Sequence, residues 1–197
     1  TTDGRGLVAH KGVAELARLD ARRAGPAWPD PQPVPTIARV LEEFPELRHL
    51  QLEAKPVDAA SRALMADRLA ALFRDFDLYE RAAVTSFDRE LLRAVRAADA
   101  RIALGLVTDR TRPDPLAGAL ALGARLLVLH WKLCTARRVR AAQAAGLAVS
   151  AWTVNDDAEA RRLHALGVDS IVTDFPTRML ALLHGMQRAP GAAAHAR

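Results

Sequence analysis

The sequence predicts an α/β protein of about six β/α units, two short of a closed (β/α)₈ barrel, the closure that fits better than an open doubly wound sheet. Three observations predict it. Six short apolar runs lack polar alternation, as strands buried on both faces do. Amphipathic segments separate them, so strand and helix alternate as in a parallel sheet. No glycine-rich loop follows any run, which disfavours an open nucleotide-binding sheet. A closed barrel takes about 250 residues, whereas the chain has 197.

The expected strands are Arg48–Lys55, Ala82–Ser86, Arg101–Val107, Arg125–His130, Leu147–Val154 and Val168–Thr173. Between the first two, Asp58 to Phe76 places Leu64, Met65, Leu69, Leu72, Phe73 and Phe76 on one helical stripe, with charges opposite. Asp88 is placed to cap the next helix, which buries Leu91, Leu92 and Val95. Thr135 opens a helix carrying Val139 and Ala142, and Gly146 closes it. Asp156 and Glu159 have the spacing of a capping box. Pro176 suits the first turn of the last helix, expected to bury Met179, Leu180 and Leu183. Ala24 to Pro35 carries five prolines and reads as an irregular loop. Residues 1–188 read as one partial barrel domain and 189–197 as a disordered tail.

Composition narrows the class. Half the residues are hydrophobic, so a packed core is expected. One cysteine, Cys134, excludes an internal disulfide framework and a cysteine zinc cluster. No apolar run approaches the roughly 20 residues of a membrane span, and no basic-then-apolar leader opens the chain. There are 28 Lys and Arg against 23 Asp and Glu, a net charge of +5. The arginines fall mostly at helical spacing, as in Arg62, Arg68, Arg89, Arg93 and Arg96. They read as solvated helix faces rather than a nucleic-acid surface, because no aromatics interleave them.

The most unusual stretch is Arg48 to Pro56 (RHLQLEAKP). Strand alternation puts Leu50 and Leu52 on one side and Gln51, Glu53 and Lys55 on the other, facing the barrel axis. Buried unpaired, Glu53 and Lys55 would each cost several kcal/mol. They therefore pair, bind a metal or meet an anionic ligand. A structural ion pair near a sheet edge fits the same pattern. The C-terminal ends of barrel strands are where such enzymes hold their reactive groups. Trp152 ends another strand and reads as a cleft wall or as core filling. Asn155 reads as a possible helix N-cap. Thr173 and Asp174 read as caps of the last helix or as holders of a neighbouring loop. Ser86 has no histidine arranged with it in a motif, so it is not read as a nucleophile. His130 ends a strand and reads as a satisfied polar residue. His10, His49, His164 and His184 are expected on surfaces, and Cys134 has no activating motif.

Together these phrases resemble the glycerophosphodiester phosphodiesterase family, closest to its small bacterial cytoplasmic type. Thr1 to Gly6 (TTDGRG) is similar to the segment after the family's His-Asp motif. Val34 to Ile37 with Val40 and Leu41 resembles its helix entry, and Leu52 to Pro56 (LEAKP) its "IE-x-K-P" strand. Thr85 to Asp88 (TSFD), Gly105-Leu106, Ala145 to Leu147, Trp152 to Asn155 (WTVN), Gly167 to Asp169 and Thr173-Asp174 follow in family order.

The resemblance implies a TIM barrel that hydrolyses small-molecule glycerophosphodiesters to sn-glycerol 3-phosphate and an alcohol, with a divalent cation, Ca²⁺ or Mg²⁺. It implies that Glu53 is a metal ligand, that Lys55 faces the phosphate and that Trp152 walls the cleft. The family's "HRG", its Glu-x-Asp pair and its second histidine, and with them the first two barrel strands, have no counterpart here and are expected upstream of Thr1. No residue of this chain is therefore assigned a catalytic acid or base role, and the chain alone is expected to be inactive. One carboxylate does not hold a cation that takes six or more oxygens. The alternative is a non-catalytic module that binds phosphorylated ligands through Lys55 and needs a partner to cover its open sheet edge. A cytoplasmic location is expected, with no nucleic-acid partner and no stable membrane insertion. Self-association is expected of an unclosed sheet.

Overall fold

A computed structural model describes residues 2–23 and 29–188. Thr1, part of the proline-rich loop and the expected tail 189–197 lie outside the described residues. The chain divides into two compact units, Thr1–Arg48 and His49–Arg197.

The first unit carries two short helices, α1 (Val13–Leu16) and α2 (Ile37–Glu43), and two 3₁₀ turns. Thr36 caps α2 by accepting the Arg39 N–H at 3.2 Å. The prolines from 29 to 35 form no helix or strand, and their one ladder contact is an isolated antiparallel bridge from Asp20 to Pro33. Asp20 organises the unit. Its carboxylate accepts from the Arg22 guanidinium at 2.6 Å and from the Arg22 and Gln32 backbone N–H groups. The Arg22 guanidinium leads these contacts in holding the Asp20 pKa at about 2.

The second unit alternates strand and helix six times: β1 (Leu50–Glu53), α3 (Ala59–Asp75), β2 (Ala82–Ser86), α4 (Arg89–Ala98), β3 (Ala103–Thr108), α5 (Pro115–Ala121), β4 (Leu126–His130), α6 (Ala136–Ala144), β5 (Ala148–Trp152), α7 (Asp157–Ala165), β6 (Ser170–Ile171) and α8 (Pro176–Arg188). The six strands form one parallel sheet in the order of the chain. Every crossover therefore returns to the adjacent position, the connectivity of a barrel rather than of a doubly wound sheet. The sheet curls. The Gln51 side-chain amide on β1 reaches Ser150 Oγ on β5 at 3.2 Å and Ser170 Oγ on β6 at 3.4 Å. First and last strands thus meet through side chains across the interior.

Local chemistry sets the helix ends. Asp58, Asp88, Asp114, Thr135 and Asp156 each accept a first-turn N–H and cap α3 to α7 in turn. Glu159 supplies the N–H that Asp156 accepts, while its carboxylate pairs with Arg162. The ends of α5, α6 and α7 repeat one device. Gly123, Gly146 and Gly167 stand at φ +60°, +80° and +76°, so each helix turns into the following strand through a left-handed residue.

Outward strand residues such as Val84, Leu104, Leu106, Leu127, Leu129, Val149 and Ala151 are fully covered. Leu91, Leu92, Val95, Val139, Ala142 and Met179 are buried as expected. Two helical expectations need correction. In α3 the buried line is Ala66, Ala70 and Phe73, and Leu64 is 60% exposed. This helix packs on α4, and Leu69 and Leu72 on its leucine edge are only half-buried. In α8, which packs on α7, Met179 is buried, but Leu180 is exposed and Leu183 only half-buried. Five of the six strands are shorter than expected, β2 alone keeping its bounds, and the shortening is greatest in β1 and β6. The β1 ladder covers four residues rather than eight, and β6 two rather than six. Both are edge strands with one ladder neighbour, β2 and β5 respectively.

Candidate functional site

The C-terminal ends of the strands open into a cleft of about 420 Å³. Glu53, Thr85, Val107, Val128 and Trp152 line it, one residue from each of β1 to β5. These are the inward positions of consecutive strands. Register pairs Glu53 with Thr85, Thr85 with Gly105 and His130 with Trp152. Gly105 makes room there, because a β-carbon would stand 2.8 Å from Thr85 Cγ2.

Glu53 borders the cleft. The Lys55 ammonium donates to Glu53 Oε1 at 2.6 Å, with side-chain exposures of 74% for Lys55 and 37% for Glu53. The pairing expected from the sequence is present, but neither group is buried, so the desolvation cost foreseen for them is largely avoided. Pro56 follows immediately and denies the strand another donor. Behind them Ser86 is buried. Its hydroxyl donates to the Ala54 carbonyl at 2.6 Å and accepts the Asp88 N–H at 3.0 Å. Ser86 thus ties the end of β1 to the end of β2, in keeping with its exclusion as a nucleophile.

Trp152 stands between the cleft and a small aromatic cluster. Phe87 meets it edge to face at 5.4 Å and His130 at 5.3 Å, and its indole N–H points at the Val128 carbonyl at 3.4 Å. It is half-buried and serves at once as wall and as packing. His130 accepts the Lys132 N–H through Nδ1 at 3.3 Å and stacks on Trp131. Beneath it Cys134 is buried, and burial pushes its thiol up to about 11, the opposite of activation.

Asn155 is not the N-cap of α7; Asp156 is. Asn155 instead accepts from the Thr173 hydroxyl at 3.1 Å and the Asp174 N–H at 3.0 Å, and donates to Asp174 Oδ2 at 2.7 Å. This latch joins the loops after β5 and β6 and sets one rim of the cleft. Thr173 and Asp174 thus act as loop holders. His49, expected merely as a surface residue, is exposed but also borders the cleft, from a left-handed φ of 57° just before β1. Thr85, the first residue of the TSFD motif, is the one polar residue on the inward face of its strand and lines the cleft. Among the described residues no group of three or more His, Cys, Asp or Glu is placed to hold a metal. No helix of the described residues is long and apolar enough to cross a membrane.

The comparisons with known proteins agree with this architecture. The glycerophosphoryl diester phosphodiesterase family model matches residues 1–178. The glycerophosphodiester phosphodiesterase of Caldanaerobacter subterraneus subsp. tengcongensis is 25% identical over 185 residues, covering 93% of this chain and 75% of that protein. A phosphodiesterase of Oleispira antarctica, solved with the product sn-glycerol-3-phosphate, superposes with a TM-score of 0.78 at 23% identity, over 93% of this chain and 75% of its own. A glycerophosphodiester phosphodiesterase of Agrobacterium tumefaciens str. C58 gives 0.71 at 23% identity, over 92% and 76%. These neighbours are TIM barrels, the class to which the six-strand arc conforms. With a family match across nine-tenths of its length, the chain belongs to the glycerophosphoryl diester phosphodiesterase family.

Proposed function

We propose that the protein carrying this chain hydrolyses glycerophosphodiesters to sn-glycerol 3-phosphate and an alcohol. One observation carries the reading: in a chain of this family, Glu53 and Trp152 line a single cleft at the C-terminal strand ends, with Lys55 on Glu53. The product held by the Oleispira neighbour supports the substrate class. Lys55 is free to leave Glu53 for a phosphate oxygen, since both are exposed and their pair is worth about 1 kcal/mol or less. Its ammonium would then offset charge developing on that phosphate. Trp152 supplies the apolar wall that shields the ester from water.

A divalent cation, Ca²⁺ or Mg²⁺, belongs to the reading with Glu53 as one ligand. A single carboxylate does not meet the oxygen-rich coordination of such ions, so the described residues do not fit a complete site. The acid and base are not assigned either. His130 Nδ1 is occupied by the Lys132 N–H, and His49 borders the cleft only from the N-terminal end of β1, away from Glu53 at its C-terminal end. The 197-residue chain alone is therefore proposed to be inactive. Resemblance to the small cytoplasmic type supports a cytoplasmic location. Among the described residues the outer edges of β1 and β6 carry no ladder partner, which favours a second reading, a binding module completed by a partner.

The test is release of sn-glycerol 3-phosphate from glycerophosphocholine by the protein carrying this chain, with and without chelator. Glu53→Ala is expected to lower turnover by about two orders of magnitude. Its stability is expected to stay within about 1 kcal/mol, as befits an exposed pair. No release with either cation, or release indifferent to Glu53→Ala, overturns the reading.

A further inference from the structure

A second cleft, of about 370 Å³, adjoins the first at the C-terminal end of β3. Val107 lines both, and Phe87, which packs on Trp152, walls the second. Its polar lining is cationic: Arg89, Arg110 and Arg112 against one carboxylate, Asp109. Arg110 lies 3.9 Å from Asp109. Among the described residues no carboxylate pairs with Arg89 or Arg112, whereas Arg62, Arg93, Arg162 and Arg178 each pair with one. Arg89 is also seated. It is half-buried, and a β-carbon at Gly118 would collide with its guanidinium, so the glycine of α5 makes its berth. A half-buried guanidinium without an acid partner, beside two more, is a fork-shaped donor set suited to a phosphate.

We propose that this cleft receives the alcohol half of the diester and selects an alcohol that itself carries a phosphate, with Arg89 and Arg112 determining that specificity. The inference rests on the diesterase reading above. The shared wall at Val107 places the second cleft where the group beyond the scissile phosphate would extend. The excess of guanidinium charge opposes a choline group, although Phe87 and Trp152 offer ring faces a quaternary ammonium would otherwise favour.

Two substrates decide it: glycerophosphocholine and a glycerophosphodiester whose alcohol is glycerol phosphate. The KM of the second is expected to be about tenfold lower, as one added charge-assisted contact gives. Arg89→Gln with Arg112→Gln is expected to bring the two KM values together. Arg112→Gln alone, at an exposed residue, shows the same trend without endangering the fold. Titration with inorganic phosphate under chelator is expected to show about tenfold weaker binding in the double variant. If both diesters turn over with equal KM, the inference falls and the diesterase reading stands. If the arginines bind phosphate but leave the KM ratio unchanged, the cleft serves free phosphate and the inference also falls. If neither diester turns over, the diesterase reading fails and takes the substrate assignment with it.

Discussion

Replacing Gln51 tests whether the barrel arc is held by side chains across its interior. The amide donates to Ser150 Oγ at 3.2 Å and to Ser170 Oγ at 3.4 Å, joining strands that share no ladder hydrogen bond. Gln51→Leu keeps most of the volume and removes both bonds. Each is neutral and worth about 0.5–1.5 kcal/mol, and the longer one belongs at the low end. Ser150 is fully buried, so its stranded hydroxyl adds about 1 kcal/mol or more. The expected loss is about 2–3 kcal/mol. With a urea slope near 2 kcal/mol per M, the unfolding midpoint falls by about 1 M. Ser150→Ala removes the stranded group. Combined with Gln51→Leu, it is expected to cost less than the two single changes added, by about 1 kcal/mol. A midpoint shift below about 0.25 M, or strict additivity, would refute the idea that this polar tie sets the curvature.

Three further outcomes follow from burial and charge. Phe73 is fully buried and meets Tyr79 edge to face at 5.8 Å, so Phe73→Ala should cost about 3–5 kcal/mol in chemical denaturation. Asp99 is held below the usual carboxylate range, first by the Arg101 guanidinium, and Asp20 is held at about 2, first by Arg22. Both pKa values are depressed on folding. Their stabilising contribution is thus complete above about pH 4 and is lost as pH falls toward 2, which thermal melts across that range will show. Asp99→Asn should flatten the acid limb. Cys134 is 1% exposed with its thiol raised to about 11, so a thiol reagent at pH 8 should label it only at the rate of unfolding.

The part of this fold legible in the sequence is the part governed by neighbours along the chain. Runs such as Leu126–His130 cannot be solvated on either face, so they read as inner strands from composition alone. Asp88, Thr135 and Asp156 cap their helices because each cap bonds within three residues of itself. Even the meeting of Glu53 and Lys55 follows from strand alternation, two positions apart on one face. What lay out of reach depends on elements distant in sequence. Leu64 and Leu180 satisfy helical periodicity yet face water, because the width of the covered line is set by the neighbouring helix or sheet. Asn155 looks like a cap until the loop after β6 arrives beside it, 18 residues later. Gln51 meets Ser150 across 99 residues, and Arg89 gains its berth from a glycine on the next helix. Sequence by itself determined which segments become strands and helices and which side chains share a face, since those follow from backbone periodicity. Tertiary structure alone decided which faces are covered and which polar groups meet across the interior, since only the curled sheet brings them within bonding distance.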